Sequence, residues 1–357
     1  MARSTRTLRT RPRARRTLVV AAVALLSAGL VVFALTRLNL SRVGHALITA
    51  DPGWIVLAVA LMAASLLLRS ASWHQVLRAA LPDTPIRWGP VVRATMIGVM
   101  GSAVFPGRIG EPSRVIVLTR HLPGQRRRLL AVVAGTVFSQ TLINLLALAG
   151  LAVITFTDVP LANGHVTGVL LALLVPVAIA ALVVAGPRLV AQGRRSRWRR
   201  VRVISHAVER LLRLARRGLI VFARPRYGVT AIVAQLLAWA LQWLACYAVL
   251  LALGLQHETG LAAAAAILLV VNVSAILPAT PSNVGVFQAA CLVVLAAYGV
   301  GAGQGLAYGI ILQAVEVVTA LALGVPALLR EGVTWRDLRD SAGETELDHE
   351  APAGVEG

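Results

Sequence analysis

Ala94-Thr95-Met96-Ile97-Gly98-Val99-Met100-Gly101-Ser102-Ala103-Val104-Phe105-Pro106-Gly107 is an uncharged run of 14 residues, closed by Arg93 and Arg108. A helix needs about 20 apolar residues to cross a bilayer. This run is too short, and it ends on Pro-Gly, which breaks a helix and permits close backbone approach. The reading is a segment that enters an apolar layer and turns back near Phe105-Pro106-Gly107.

Longer charge-free runs flank it. Residues 17–36, 52–68, 129–157, 159–187, 227–257 and 259–315 lie between charges, and 317–329 follows Glu316. Most can span a membrane; 259–315 must fold back at least once. Hydrophobic residues make up 57% of the 357-residue chain and charged residues 14%, against roughly 45–50% and 25% in soluble domains. This excludes a disordered chain, a secreted disulfide scaffold and an ordinary cytosolic enzyme. It predicts an all-α polytopic membrane protein with about six full transmembrane helices plus two hairpins, re-entrant or paired. Cys246 and Cys291 lie in apolar runs and read as small buried hydrophobes.

The net charge is +20, and every basic residue is arginine. On a soluble protein that would point to nucleic acid. Here the arginines sit between apolar runs and report orientation, so no nucleic-acid partner is expected. Residues 1–16 form a basic, disordered cytoplasmic leader, and 17–36 reads as a retained helix rather than a cleaved signal. The stretches 69–93, 108–128 and 188–226 are arginine-rich and cytoplasmic; 157–165 and 256–260 have no arginine and are external. Both termini fall on the cytoplasmic side of the inner membrane. Within 188–226, residues 199–219 form an amphipathic basic helix suited to an anionic leaflet. The tail, 330–357, is acidic and reads as disordered.

The membrane domain, 17–329, divides into two similar halves of opposite orientation. Repeat one (about 53–156) is a helix, a hairpin from inside and a helix. Repeat two (about 228–329) is the same with its hairpin entering from outside and turning at Leu277-Pro278-Ala279-Thr280-Pro281. Inverted repeats with broken helices meeting at mid-membrane are a transporter architecture.

Four constellations carry chemistry. Arg108, Glu111 and Arg114 follow the first break at spacings of three, so they share a helix side; arginine matches phosphate with two parallel hydrogen bonds. Arg108 and Arg114 are assigned to phosphate, and Glu111 to Arg108 or a cationic headgroup. In the second hairpin, Pro281 precedes Ser282 and Asn283, either of which suits an N-cap. The free N–H groups behind it would form an anion site. Arg69 and Trp73, four apart, read as an interfacial anchor at a membrane boundary. Gln140, Asn144, Gln235, Gln242, Asn272 and Gln313 lie inside spans as helix–helix glue, whereas Glu316, an acid within a late span, needs an arginine or a proton. No metal spacing, phosphate loop or nucleophile elbow is present, so neither metal nor cofactor is expected, and the chain reads as no enzyme.

Arg69…Trp73, Pro106-Gly107-Arg108-x-Gly110-Glu111-x-x-Arg114 and Pro278-x-x-Pro281-x-x-x-Gly285, in this order, resemble the lysylphosphatidylglycerol synthase transmembrane-region family over about residues 53–329. The resemblance implies a lipid translocator (flippase) without the soluble aminoacyl-transferase domain. Its substrate is an anionic or aminoacylated phospholipid, or another lipid-linked anion. The alternative is a non-transporting membrane partner of a separate glycosyl- or aminoacyl-transferase. The family often carries Glu where this chain has Gln288, and an acid–Arg pair near Ser139-Gln140. The residues expected to meet substrate are Arg69, Trp73, Pro106, Gly107, Arg108, Gly110, Glu111, Arg114, Pro278, Pro281, Asn283, Gly285, Gln288 and Glu316.

Overall fold

The computed structural model describes residues 40–104, 110–158, 224–274 and 285–332. The leader, the expected spans 17–36 and 159–187, the amphipathic segment 199–219, both hairpin turns and the tail from 333 onward lie outside the described residues, whereas Arg330 and Glu331, expected in that disordered tail, are the last residues of a helix. What is described is helical: α1 (Leu40–Thr49), α2 (Pro52–Ala80), α3 (Trp88–Val104), α4 (Gly110–Thr119), α5 (Arg126–Asp158), α6 (Pro225–Ala252), α7 (Leu261–Ser274), α8 (Val286–Ala297) and α9 (Ala302–Glu331). Among the described residues, four helices, α2, α5, α6 and α9, are long and apolar enough to cross a membrane.

One expectation is corrected at α2. The uncharged run stops at Leu68, but the helix continues through Arg69 to Ala80, 29 residues in all. Asp51 starts it, accepting from the Gly53 N–H at 2.8 Å, with Pro52 at its first turn. Arg69 does not end the span because Gln242 and the Trp239 ring receive its guanidinium inside the bundle.

Two ends can be told apart by their contacts. At one, the Asp51 N–H donates to the Ala252 carbonyl at 2.9 Å, and a cavity brings His45 and Thr49 beside Leu253 and Gly301–Gln304. At the other, Arg78 lies over the Tyr227 ring at 5.5 Å, and Glu331 pairs with both Arg93 and His121. The second end holds Arg78, Arg87, Arg93 and Arg330; the first holds Asp51 and, just beyond α6, Glu258.

Glu331 binds Arg93 near the start of α3 and His121 just past the end of α4, so the outer ends of both helices converge on it. Their inner ends cross at glycines. A Cβ at Gly110 would collide with the Gly98 carbonyl oxygen, and one at Gly101 would lie 3.2 Å from the Gly110 Cα. Gly98 is about 15 Å along α3 from Trp88 at 1.5 Å per residue, roughly half the hydrocarbon thickness. The Glu331 side chain is only 4% exposed. Glu331→Gln should speed hydrogen exchange in 88–93 and 119–123 without changing the interior of α2, because only the clamp is lost.

The remaining packing is paired. α2 lies against α6. α3 packs on α9 and α7 on α5; α3 meets α4 and α7 meets α8; α4 meets α5 and α8 meets α9. Two apolar cores fill the bundle, one around Trp73, Leu77, Ile97 and Leu118, the other around Val249, Ile267, Leu295 and Tyr308. Cys246 and Cys291 are buried in the second.

Candidate functional site

Polar side chains gather where the two cores meet. Arg69 of α2 donates from Nη2 to Oε1 of Gln242 on α6, and its guanidinium lies over the Trp239 ring at 5.5 Å. Gln140 of α5 joins Arg69 to Arg114. Its Nε2 donates to the Arg69 carbonyl at 3.1 Å, and its Oε1 accepts from Arg114 Nη1 at 2.9 Å. Arg114 of α4 reaches back one turn to Glu111 at 2.5 Å and covers the Trp73 ring at 4.9 Å. Trp73 is wholly buried and held by its indole N–H, which donates to Thr136 Oγ1 at 3.0 Å. Glu316 of α9 lies within electrostatic reach of Arg69.

Placing an arginine at mid-bilayer costs about 2.5–3.5 kcal/mol on insertion scales. The cluster offsets that cost with a carboxylate, two amides and two aromatic faces, and cation–π contacts strengthen when desolvated. It is not fully self-satisfied. Nε of Arg69 and Nε of Arg114 are both buried with no acceptor among the described residues. Buried N–H groups of charged side chains are costly to leave unmade. The two guanidiniums, one held by Gln242 and the other by Gln140, therefore have donors available for an anion.

A second polar group lies on α8 and α9. Gln288 Oε1 accepts from the Gly285 N–H at 2.7 Å, while its Nε2 donates to Gln313 Oε1. Gly285 has φ +87°, a conformation that favours glycine, and α8 begins immediately after it. The N-cap expected at Ser282 or Asn283 is replaced by this glycine. Asn144 of α5 accepts from Gln235 at 2.5 Å and Trp239 at 3.1 Å, both on α6.

The structure thus brings together Arg69, Trp73, Gly110, Glu111 and Arg114, with Glu316 within electrostatic reach of Arg69, while Gly285 and Gln288 join Gln313. Pro106, Gly107, Arg108, Pro278, Pro281 and Asn283 lie outside the described residues. One expectation changes. Arg69 and Trp73 are not a boundary anchor: α2 continues about 17 Å past Arg69, and both residues point into the bundle. Glu111 pairs with Arg114; its expected pairing with Arg108 lies outside the described residues. Gln140, Gln242, Asn144, Gln235 and Gln313 do bridge helices, whereas Asn272 bonds within its own helix to Leu268. Trp239 and Thr136 carried no signal, since an aromatic and a hydroxyl are ordinary in an apolar helix.

Gln242→Leu removes the acceptor from Arg69 and should cost about 1.5–3 kcal/mol, the range for a hydrogen bond to a charged group. Thermal unfolding in detergent checks it. Arg69→Met placed on top of Gln242→Leu should recover part of the loss, because no charge is then left without its acceptor.

No curated protein matches the chain. Residues 19–324 match the family described as Lysylphosphatidylglycerol synthase TM region. Matched over most of its length, the chain belongs to the lysylphosphatidylglycerol synthase transmembrane-region family.

Proposed function

We propose that the protein is a lipid translocator that moves the headgroup of an anionic or aminoacylated phospholipid, or of another lipid-linked anion, between leaflets. It does no bond chemistry of its own. The observation that carries this reading is the pair of buried guanidiniums, Arg69 and Arg114, each with an unpartnered Nε–H, on helices tied by Gln140, which donates to the Arg69 backbone carbonyl and accepts from the Arg114 guanidinium. Arginine presents a planar fork that fits phosphate oxygens. Glu111 and Glu316 keep the local charge low enough for the arginines to remain inside, and they offer acceptors to a cationic group on an aminoacylated headgroup.

The architecture we infer is an inverted repeat. α2 runs from the Asp51 end to the Arg78 end and α6 runs the other way. The pairings of one half recur in the other, with α3 on α9 matched by α7 on α5. Arg69 and Gln242, which bond each other, occupy similar places in the two opening helices. α3–α4 and α7–α8 are then two hairpins that enter from opposite faces, since 10 to 17 residues each are too few to cross. Positive-inside bias puts the arginine-rich end, and both termini, in the cytoplasm of a cell whose inner membrane holds the protein.

The test is lipid movement by the purified protein in liposomes, followed by loss of a fluorescent headgroup label to an impermeant quencher. Label in the inner leaflet should become accessible faster than in protein-free liposomes. The paired variant Arg69→Gln with Arg114→Gln should abolish the gain. If folded wild-type protein moves no lipid above the empty-liposome rate, the translocator reading is lost and the membrane partner of a separate transferase takes its place.

A further inference from the structure

We propose a second anion site, at the arginine-rich end, for a phosphate group carried by a lipid headgroup or free in solution. Two cavities of about 500 and 550 Å³ open there and share Pro85, Ile86 and Arg87 as a wall. Volumes of 300–1,000 Å³ suit small ligands. His74, Arg78, Asp83, Arg87 and Tyr227 line the first cavity; Arg87, Arg93 and His121 line the second.

The charges at this end are not equally available. Arg93 and His121 are both committed to the Glu331 carboxylate. Arg78 is steadied by the face of Tyr227 rather than by an acid, and Arg87 has no ion pair among the described residues. Two arginines therefore face these cavities with their charge uncompensated, against the single carboxylate of Asp83.

The wall between them is rigid. The His74 Nε2 is hydrogen-bonded to the Ile86 carbonyl at 3.1 Å, and its ring meets the edge of Trp88 at 5.6 Å. Trp88 is 44% exposed, the placement of an interfacial tryptophan at headgroup depth. Basic pockets between helices at that depth hold lipid phosphates. This site is separate from the central one: Arg78 is about 13 Å along α2 from Arg69. Its occupancy does not require that lipid be transported.

Hydrogen exchange read by mass spectrometry tests it locally. The full chain in neutral detergent is mixed with short-chain phosphatidylglycerol, short-chain phosphatidylcholine or inorganic phosphate. Phosphatidylglycerol should slow exchange across residues 81–93 at least fivefold, and phosphatidylcholine should not. The double variant Arg78→Gln with Arg87→Gln should lose that protection while α2 and α6 exchange as in wild type; Arg87→Glu alone serves if the double variant does not fold. Protection by inorganic phosphate as well identifies the free anion as sufficient ligand, and protection by the lipid alone identifies the headgroup. The proposal is overturned if phosphatidylcholine protects equally, if neither anion protects, or if the variants retain wild-type protection.

Discussion

Arg114→Lys is expected to leave a folded protein that moves lipid at least tenfold more slowly than wild type. Arg114 makes three contacts at once: Nη1 to Gln140, Nη2 to Glu111, and its flat face over Trp73. A lysine ammonium can keep the ion pair with Glu111. It cannot hold Gln140 in the same plane, cannot stack on the indole and has no Nε–H to offer a phosphate. A tenfold loss corresponds to about 1.4 kcal/mol of transition-state stabilisation, less than one charge-assisted hydrogen bond is worth. Glu111→Gln separates the roles. Glu111 is half-exposed on its side chain, so its loss should change folding little; slow transport with normal folding would place it beside the headgroup. Lipid movement unchanged in both variants would remove Arg114 and Glu111 from the mechanism.

Gly110→Ala is expected to destabilise the protein by about 3 kcal/mol or more, at the upper end of what overpacking costs. The added methyl would strike the Gly98 carbonyl oxygen, which is backbone and cannot rotate away, as well as Ser102 Oγ. The inner ends of α3 and α4 would part, and Arg114, one turn on, would move off Gln140. The measurement is thermal unfolding in detergent beside Gly150→Ala. Gly150 has open space around its Cβ position and sits in α5, where alanine is the better helix former. Gly110→Ala should unfold at a clearly lower temperature than wild type and Gly150→Ala at the same temperature or higher. Equal stability of the two variants would mean that α3 and α4 do not cross this closely.

Much of this was legible in the residues themselves. The charge-free runs placed α5 and α6 within a few residues, because desolvating an unpaired charge costs more than a helix end gains. The short run 94–107 fell, as far as it is described, on a helix, α3, of 17 residues, too short to cross a bilayer. Glu111 and Arg114, three apart, were set to meet on any helix. The rule failed at Arg69, where a charge looked like a boundary. A hydropathy run ends at every charge, whether or not that charge is paired, and the partner here is Gln242, 173 positions away. Glu331 was hidden for the same reason: it reads as the first acid of a polar tail, yet it closes on Arg93 and His121 from the far end of the chain.

The sequence by itself therefore determined an all-helical membrane protein and its family. Those follow from local terms: transfer free energy, backbone restriction and spacing along a helix. Only the tertiary structure decided which polar groups share a site. It set Arg69 and Arg114 on either side of Gln140, turned Trp73 and Trp239 beneath them and left both Nε–H groups open. The physical reason is that a charge within an apolar layer is tolerated only when distant helices bring acceptors and aromatic faces to it, and packing, not sequence neighbourhood, supplies them.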